Sequence, residues 1–140
     1  LANKKAGEIM QPGNHGSTFG GNPLMCATAS TVIDTITNDD LISNARDIGN
    51  YILNGFTEKL SAIEGVREIR SLGLMIGIEL DSECGELVKL ALEKNLLINV
   101  TAGNVIRLLP PLIIDHQQAD AIINTVSELV IDSLHKKAAA

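Results

Sequence analysis

Apolar residues begin to recur at helical spacing just after residue 22. Met25, Ala29, Val32, Ile33 and Ile36 fall three or four positions apart, which predicts an amphipathic helix. Asn22 suits the N-cap, and Pro23 suits the first helical position, where no amide donor is missed. Thr37-Asn38-Asp39-Asp40 interrupts the pattern and is placed to cap a second helix. Leu41, Ala45, Ile48, Ile52, Phe56, Leu60 and Ile63 share one face of that helix, and Gly65 is a suitable stop. Residues 1–13, with Lys4, Lys5, Glu8 and a Pro12-Gly13 end, form a polar surface lead-in.

Beyond residue 65 the period shortens. Val66 to Arg70 and Leu74 to Leu80 predict two strands, with Ser71-Leu72-Gly73 as a tight reversal that makes them antiparallel. Residues 83–94 fit a helix with Leu87, Leu90 and Ala91 inward and Asn95 at its end. Leu96 to Val100 predicts a third strand, Thr101 to Asn104 a turn, and Val105 to Leu109 a fourth strand. Pro110-Pro111 ends the ladder, because proline has no amide to give it. Asp115 with Gln118 three residues on has capping-box spacing, and opens a last helix with Ala119, Ile122, Ile123, Val126, Leu129, Val130 and Leu134 along one stripe. Lys136 and Lys137 suit its negative end. Helices and strands in this order predict an α+β domain from about residue 38 onward. Its small sheet of about four strands is covered by helices on one face, and a helical arm, residues 1–37, precedes it.

Composition narrows the partners. At 140 residues with 45% apolar content, the chain can bury a proper core. A net charge of −6 argues against nucleic acid, which is held by clustered cations, and Phe19, Tyr51 and Phe56 alone offer no stacking platform. Cys26 and Cys84 fall in predicted helical segments without metal-ligand spacing, so no metal site is expected, and a reducing cytoplasm is the default. No apolar run is long enough to span a membrane. The chain starts at Leu1 without the layout of a signal peptide, which leads us to expect a piece of something longer.

Two places carry candidate chemistry. In Asn14-His15-Gly16-Ser17-Thr18-Phe19-Gly20-Gly21-Asn22-Pro23, adjacent hydroxyls lie between glycines directly before a helix start. Hydroxyls, free amides and a positive helix end can seat a phosphate or carboxylate; the plainer alternative is a glycine-rich turn into a helix. The GxxxxGK[ST] spacing of a nucleotide-binding phosphate loop is absent. The second place is Arg107, inside an otherwise apolar run from Val105 to Ile114. Its guanidinium matches a carboxylate with two hydrogen bonds, and the run predicts a side chain pointing into a cleft at the sheet's end. The alternative is an arginine on the open face of an edge strand, reaching water along its own stem. His15 shapes the loop, and His116 and His135 are expected to be solvated, as is the acidic face of Glu83, Glu86 and Glu93. Glu79 lacks a second carboxylate for acid–base work, and Met25 and Met75 are expected in the core.

The segments His15 to Leu24, Ser71 to Gly77 and Asn104 to Leu112 together resemble the class III pyridoxal-phosphate aminotransferases, in order and in spacing. The likeness covers nearly the whole chain but only the C-terminal third or so of such an enzyme. It implies the small C-terminal domain of a fold-type I transferase, with the first helix at the large-domain junction. It also implies pyridoxal 5'-phosphate as cofactor and a homodimer whose active sites lie at the subunit interface. Thr18 matches the threonine that hydrogen-bonds the cofactor phosphate of the neighbouring subunit, Ser17 the serine at the substrate, and Arg107 the arginine facing substrate carboxylate. The Schiff-base lysine has no counterpart here, since none of Lys4, Lys5, Lys59, Lys89, Lys94, Lys136 or Lys137 stands in a matching context, and the aspartate that partners the pyridine nitrogen is also missing. Transamination is therefore expected of the parent protein and not of this chain alone. The likeness is strongest to members that exchange an amino group between N-acetylornithine and 2-oxoglutarate in arginine synthesis. Members acting on ornithine, succinylornithine or 4-aminobutyrate stay open, as does a non-catalytic α+β interaction module.

Overall fold

Asparagine and proline start the first long helix in the way their chemistry favours. The Asn22 carboxamide oxygen accepts the Met25 amide at 3.1 Å, and proline takes the first helical position. The structure, a computed structural model, describes residues 3–138 and divides after Asp39 into two units. The first holds a one-turn helix α1 (Lys4–Gly7), capped by Asn3, and α2 (Pro23–Asn38). No residue of α2 is buried, so Met25 is exposed and the expectation of core packing does not hold for it.

The second unit begins with α3 (Leu41–Leu60), followed by β1 (Val66–Leu72), β2 (Met75–Leu80), α4 (Glu86–Glu93), β3 (Asn99–Thr101), β4 (Val105–Leu108) and α5 (His116–Ala138). The strands form one antiparallel sheet in the order β1-β2-β4-β3. Period-two alternation splits it cleanly. Ile76, Ile78, Leu80, Ile106 and Leu108 point to one face and join a core with Ile52, Phe56 and Leu60 of α3, Leu87 of α4 and Val126 and Val130 of α5. The other face carries Arg70, Leu72, Met75, Glu79, Val105 and Arg107; Val105 is buried there, while Arg70, Leu72, Met75 and Arg107 are exposed. The α+β architecture is thus a four-stranded antiparallel sheet with its helices gathered on one side. The reciprocal cap at α5 forms as its spacing predicts: the Gln118 amide donates to Asp115 Oδ1 at 2.8 Å, and the Asp115 amide to Gln118 Oε1 at 3.1 Å.

Several boundaries differ from the sequence expectation, each for a local reason. The first reversal is the two-residue turn Gly73-Leu74, not Ser71 to Gly73, because Gly73 takes a φ of +56° and Leu72 already pairs with Met75. β3 starts at Asn99, not Leu96. Asn95 turns left-handed at φ +60°, and the Leu96 amide then goes back to the Ala91 carbonyl to close α4, so it is lost to the ladder. α4 begins at Glu86, and Cys84 lies buried in the loop before it, where its amide donates to the Gly103 carbonyl. Burial pushes the Cys84 thiol pKa up, so it behaves as an inert apolar side chain. Asp40 caps α3 by position only: its carboxylate accepts the Ser43 hydroxyl at 2.9 Å and no backbone amide. Met75 is more than half exposed on the open sheet face, the second methionine expected in the core that is not there.

Candidate functional site

The open face of the sheet is built by register. Arg70 on β1 pairs with Gly77 on β2, Gly77 pairs with Arg107 on β4, and Arg107 pairs with Asn99 on β3. Residues directly opposite share a face, so the two guanidiniums stand on either side of a position with no side chain. Arg70, Leu72, Met75, Gly77, Thr101 and Arg107 are among the residues that line a shallow cavity of about 320 Å³. Arg107 is exposed and enters no ion pair among the described residues. It lies on an interior strand with β2 and β3 on its two sides. It is therefore not on an edge strand, and it stands one residue before the end of β4, opposite the first residue of β3.

Arg70 is in a different state. It donates to Glu68 Oε2 at 2.6 Å and to Glu79 Oε2 at 2.9 Å, bonds that hold its pKa above the ordinary arginine value, the Glu79 bond foremost. Glu68 and Glu79 sit directly opposite each other in the ladder, a like-charge pair that would repel without a cation between them. A bulge at Arg67 brings a second guanidinium within 3.9 Å of Glu79. The sequence pattern alone assigns Glu79 no second carboxylate, since a reversal at Ser71 to Gly73 sets Glu68 against Ile76. With the turn at Gly73-Leu74 the ladder aligns Glu68 with Glu79 and Arg70 with Gly77, so the signal was present in the turn chemistry.

In the first unit the loop before α2 is shaped by its own side chains. The Ser17 hydroxyl oxygen accepts the Gly20 amide at 3.0 Å, and a Cβ on Gly20 would lie a tight 3.0 Å from the Ser17 side chain. Gly21 has a φ of +76°, and Asn22 donates to the Phe19 carbonyl. Thr18 is exposed, and its hydroxyl makes no hydrogen bond among the described residues. His15, His116 and His135 are exposed, although His116 packs edge-on against Tyr51 with ring centroids 4.6 Å apart. Glu86 is less solvated than its helix face suggested, since its carboxylate accepts the Ser133 hydroxyl at 3.0 Å and pairs with Lys137 at 2.9 Å. Among the described residues no group of three potential metal ligands gathers, and no described helix is long and apolar enough to cross a membrane.

The hydroxyl loop of the first unit and the arginine-bearing strand of the second each fall in a segment that carries the class III resemblance. The sequence signature described as aminotransferase class-III matches residues 1–130, and the chain belongs to that family. It is 47% identical over 130 residues to the acetylornithine aminotransferase of Nitrosomonas europaea, an alignment that covers 93% of this chain and 33% of that protein. It is 43% identical over 132 residues to the acetylornithine aminotransferase of Methanothermobacter thermautotrophicus, covering 94% and 34%. Among solved structures it is similar to the ornithine aminotransferase of Toxoplasma gondii, described with pyridoxal phosphate partly occupying the active site. There the TM-score is 0.83 at 28% identity, over 94% of this chain and 32% of that one. The chain spans about a third of the length of the curated relatives it matches.

Proposed function

We propose that this chain is the C-terminal part of a pyridoxal 5'-phosphate-dependent aminotransferase that exchanges an amino group between N-acetylornithine and 2-oxoglutarate. The observation that carries this reading is the Arg107 guanidinium, exposed on an interior strand of the open sheet face with no acidic partner among the described residues. A planar fork in that state suits a substrate carboxylate, with two parallel hydrogen bonds and one charge. Amino donor and 2-oxo acceptor both present an α-carboxylate, so one arginine can serve both halves of the exchange. The names of the two curated relatives support N-acetylornithine as donor. The Toxoplasma gondii neighbour favours a second reading, in which the donor is ornithine.

The residues of the loop fit the cofactor's phosphate end. Thr18 has a hydroxyl free to donate to a phosphate oxygen, and α2 begins a few residues on. Ser17 accepts the Gly20 amide through its oxygen and still has its own proton to donate to a substrate atom. Pyridoxal phosphate, when bound, supplies the electron sink for the substrate's reacting carbon, and the protein's part is to hold and orient the reactants. In this reading Thr18 reaches the cofactor of the neighbouring subunit in a homodimer, residues 1–37 belong to the large-domain junction, and residues 38–140 are the small domain. The covalent cofactor anchor belongs to the remainder of the parent protein, since none of this chain's lysines matches it.

The test is amino transfer to 2-oxoglutarate by the full-length parent, with N-acetylornithine and ornithine compared as donors. At least a tenfold higher kcat/KM for N-acetylornithine is expected, a difference of about 1.4 kcal/mol. A preference for ornithine would select the second reading, and no transfer from either donor would overturn both in favour of a non-catalytic module.

A further inference from the structure

Arg107 enters no ion pair among the described residues, although a carboxylate stands diagonally across from it on β2. Glu79 lies two residues along β2 from Gly77, and Gly77 pairs with Arg70 on one side and with Arg107 on the other. Glu79 is therefore the diagonal neighbour of both arginines on the same open face. Diagonal neighbours in an antiparallel ladder lie about 7–8 Å apart, a span that glutamate and arginine bridge with ease. Residue 77 is glycine, and the space above it is shared by the Arg70 side chain, whose Cγ and Nε lie 3.6 Å from where a Cβ would stand, and by Val105 Cγ1 at 3.7 Å. In the structure the Glu79 carboxylate takes Arg70, at 2.9 Å.

The geometry points to Arg70 as a positioning residue that holds Glu79 away from Arg107 and so keeps the substrate-carboxylate seat empty for substrate. The inference rests on the reading of Arg107 given above. Three features bias the choice of Glu79. Arg70 also engages Glu68 at 2.6 Å, which fixes its guanidinium on the β1 side. Arg67, displaced by the bulge, approaches Glu79 from that same side at 3.9 Å. Glu79 is itself the most covered of these side chains, at 27% exposed, so its carboxylate does not simply turn out to water. Without Arg70 the attraction on the β1 side falls to the long Arg67 contact, and Arg107 becomes the nearest full partner. Substrate would then compete with an internal carboxylate, which weakens binding without touching the chemical step.

The experiment is steady-state kinetics of the full-length enzyme with 2-oxoglutarate varied. Arg70→Gln is expected to raise KM for 2-oxoglutarate about three- to fivefold with kcat unchanged, the size of an exposed ion pair and the signature of lost ground-state binding. Adding Glu79→Gln should return KM towards the parent value, which a merely structural role for Arg70 would not do. Arg70→Gln with Glu68→Gln restores the same net charge but leaves Glu79 free, and should not rescue. Arg70→Lys keeps a cation beside Glu79 and should hold KM within about twofold; it also serves if the glutamine variant folds poorly. An unchanged KM in Arg70→Gln, a failure of Glu79→Gln to rescue, or equal rescue by Glu68→Gln would each overturn the inference. Arg107→Lys, measured alongside, separates the two levels. If it raises KM and Arg70→Gln does not, only the role of Arg70 fails; if it changes nothing, the seat itself fails.

Discussion

At the scale of single residues, what separates a functional side chain from a merely polar one here is whether its bonding capacity is already spent. Ser17 and Thr18 are neighbours of similar chemistry, yet one hydroxyl oxygen is taken by the Gly20 amide and the other has no partner among the described residues. Arg70 and Arg107 flank the same glycine, yet one is bound to two carboxylates and the other to none. The proposed phosphate contact of Thr18 gives a direct prediction. Thr18→Val in the full-length protein removes one charge-assisted hydrogen bond, worth roughly 1.5–3 kcal/mol, and should weaken cofactor affinity by about one to two decades. Cofactor dissociation constants measured for both forms check it, and equal values would refute the contact. The candidate residues were legible in the sequence, because Ser17, Thr18 and Arg107 sit in motifs of distinctive order. Their bonding state was not. It depends on the pairing of β1 with β2, and moving the turn from Ser71–Gly73 to Gly73-Leu74 shifts the register by three residues, which is what brings Glu68 opposite Glu79.

At the scale of elements, the hairpin that carries Arg70, Leu72 and Met75 is held by a backbone contact with α3. A Cβ on Gly49 of α3 would lie 2.2 Å from the Gly73 carbonyl oxygen and 2.5 Å from its carbon. Alanine is the better helix former by about 1 kcal/mol, but overpacking against backbone costs about 1–3 kcal/mol or more, and a clash this deep lies at the high end. Gly49→Ala should therefore lower the stability of the chain by about 2 kcal/mol net, measured by thermal or urea unfolding; a gain would show that the hairpin can move away. Gly55 makes an instructive contrast, since its added Cβ would meet only the side chain of Ile123, which can shift. The α4–α5 clasp makes a pH prediction. Burial pushes the Glu86 pKa up, but bonds from Lys137, its own helix-start amide and Ser133 outweigh that and leave it below the ordinary glutamate value. A depressed folded-state pKa gives stability that is present above the unfolded value and lost as pH falls through the folded one. The melting-temperature gap between the chain and Glu86→Gln should be present at neutral pH and close as the medium is acidified through and below the glutamate range. A gap that stayed constant would assign the clasp to packing. Element types and order were legible from periodicity, while the ends of β1, α4 and β3 were not, because Gly73, Asn95 and the Leu96 amide decide them through left-handed turns and capping.

At the scale of the whole molecule, the family is shown, and the chain carries about a third of the length of its relatives. The proposed division of labour makes a prediction for the chain by itself. With pyridoxal phosphate and borohydride it should show no stoichiometric labelling of any one lysine, and no transaminase turnover with N-acetylornithine and 2-oxoglutarate. Peptide mapping of a single fully labelled lysine, together with turnover, would contradict that. What the segment contributes to the parent in this account is orientation: a hydroxyl for the cofactor's phosphate and a guanidinium for the substrate's carboxylate. The net charge of −6 makes a free arginine on the sheet face more telling, because acidic partners are plentiful and none of the described ones engages it.

The most direct test of the carboxylate seat is Arg107→Lys in the full-length enzyme, with kcat/KM for 2-oxoglutarate and thermal melting measured together. Lysine keeps the charge and the strand position but loses the planar fork, so geometry alone is changed. The account predicts a loss of roughly 2–4 kcal/mol in kcat/KM, about 30- to 1000-fold, with the melting temperature within a degree or two of the parent. A kcat/KM equal to the parent's would contradict the carboxylate role, and a collapse in melting temperature would make Arg107 a structural residue instead.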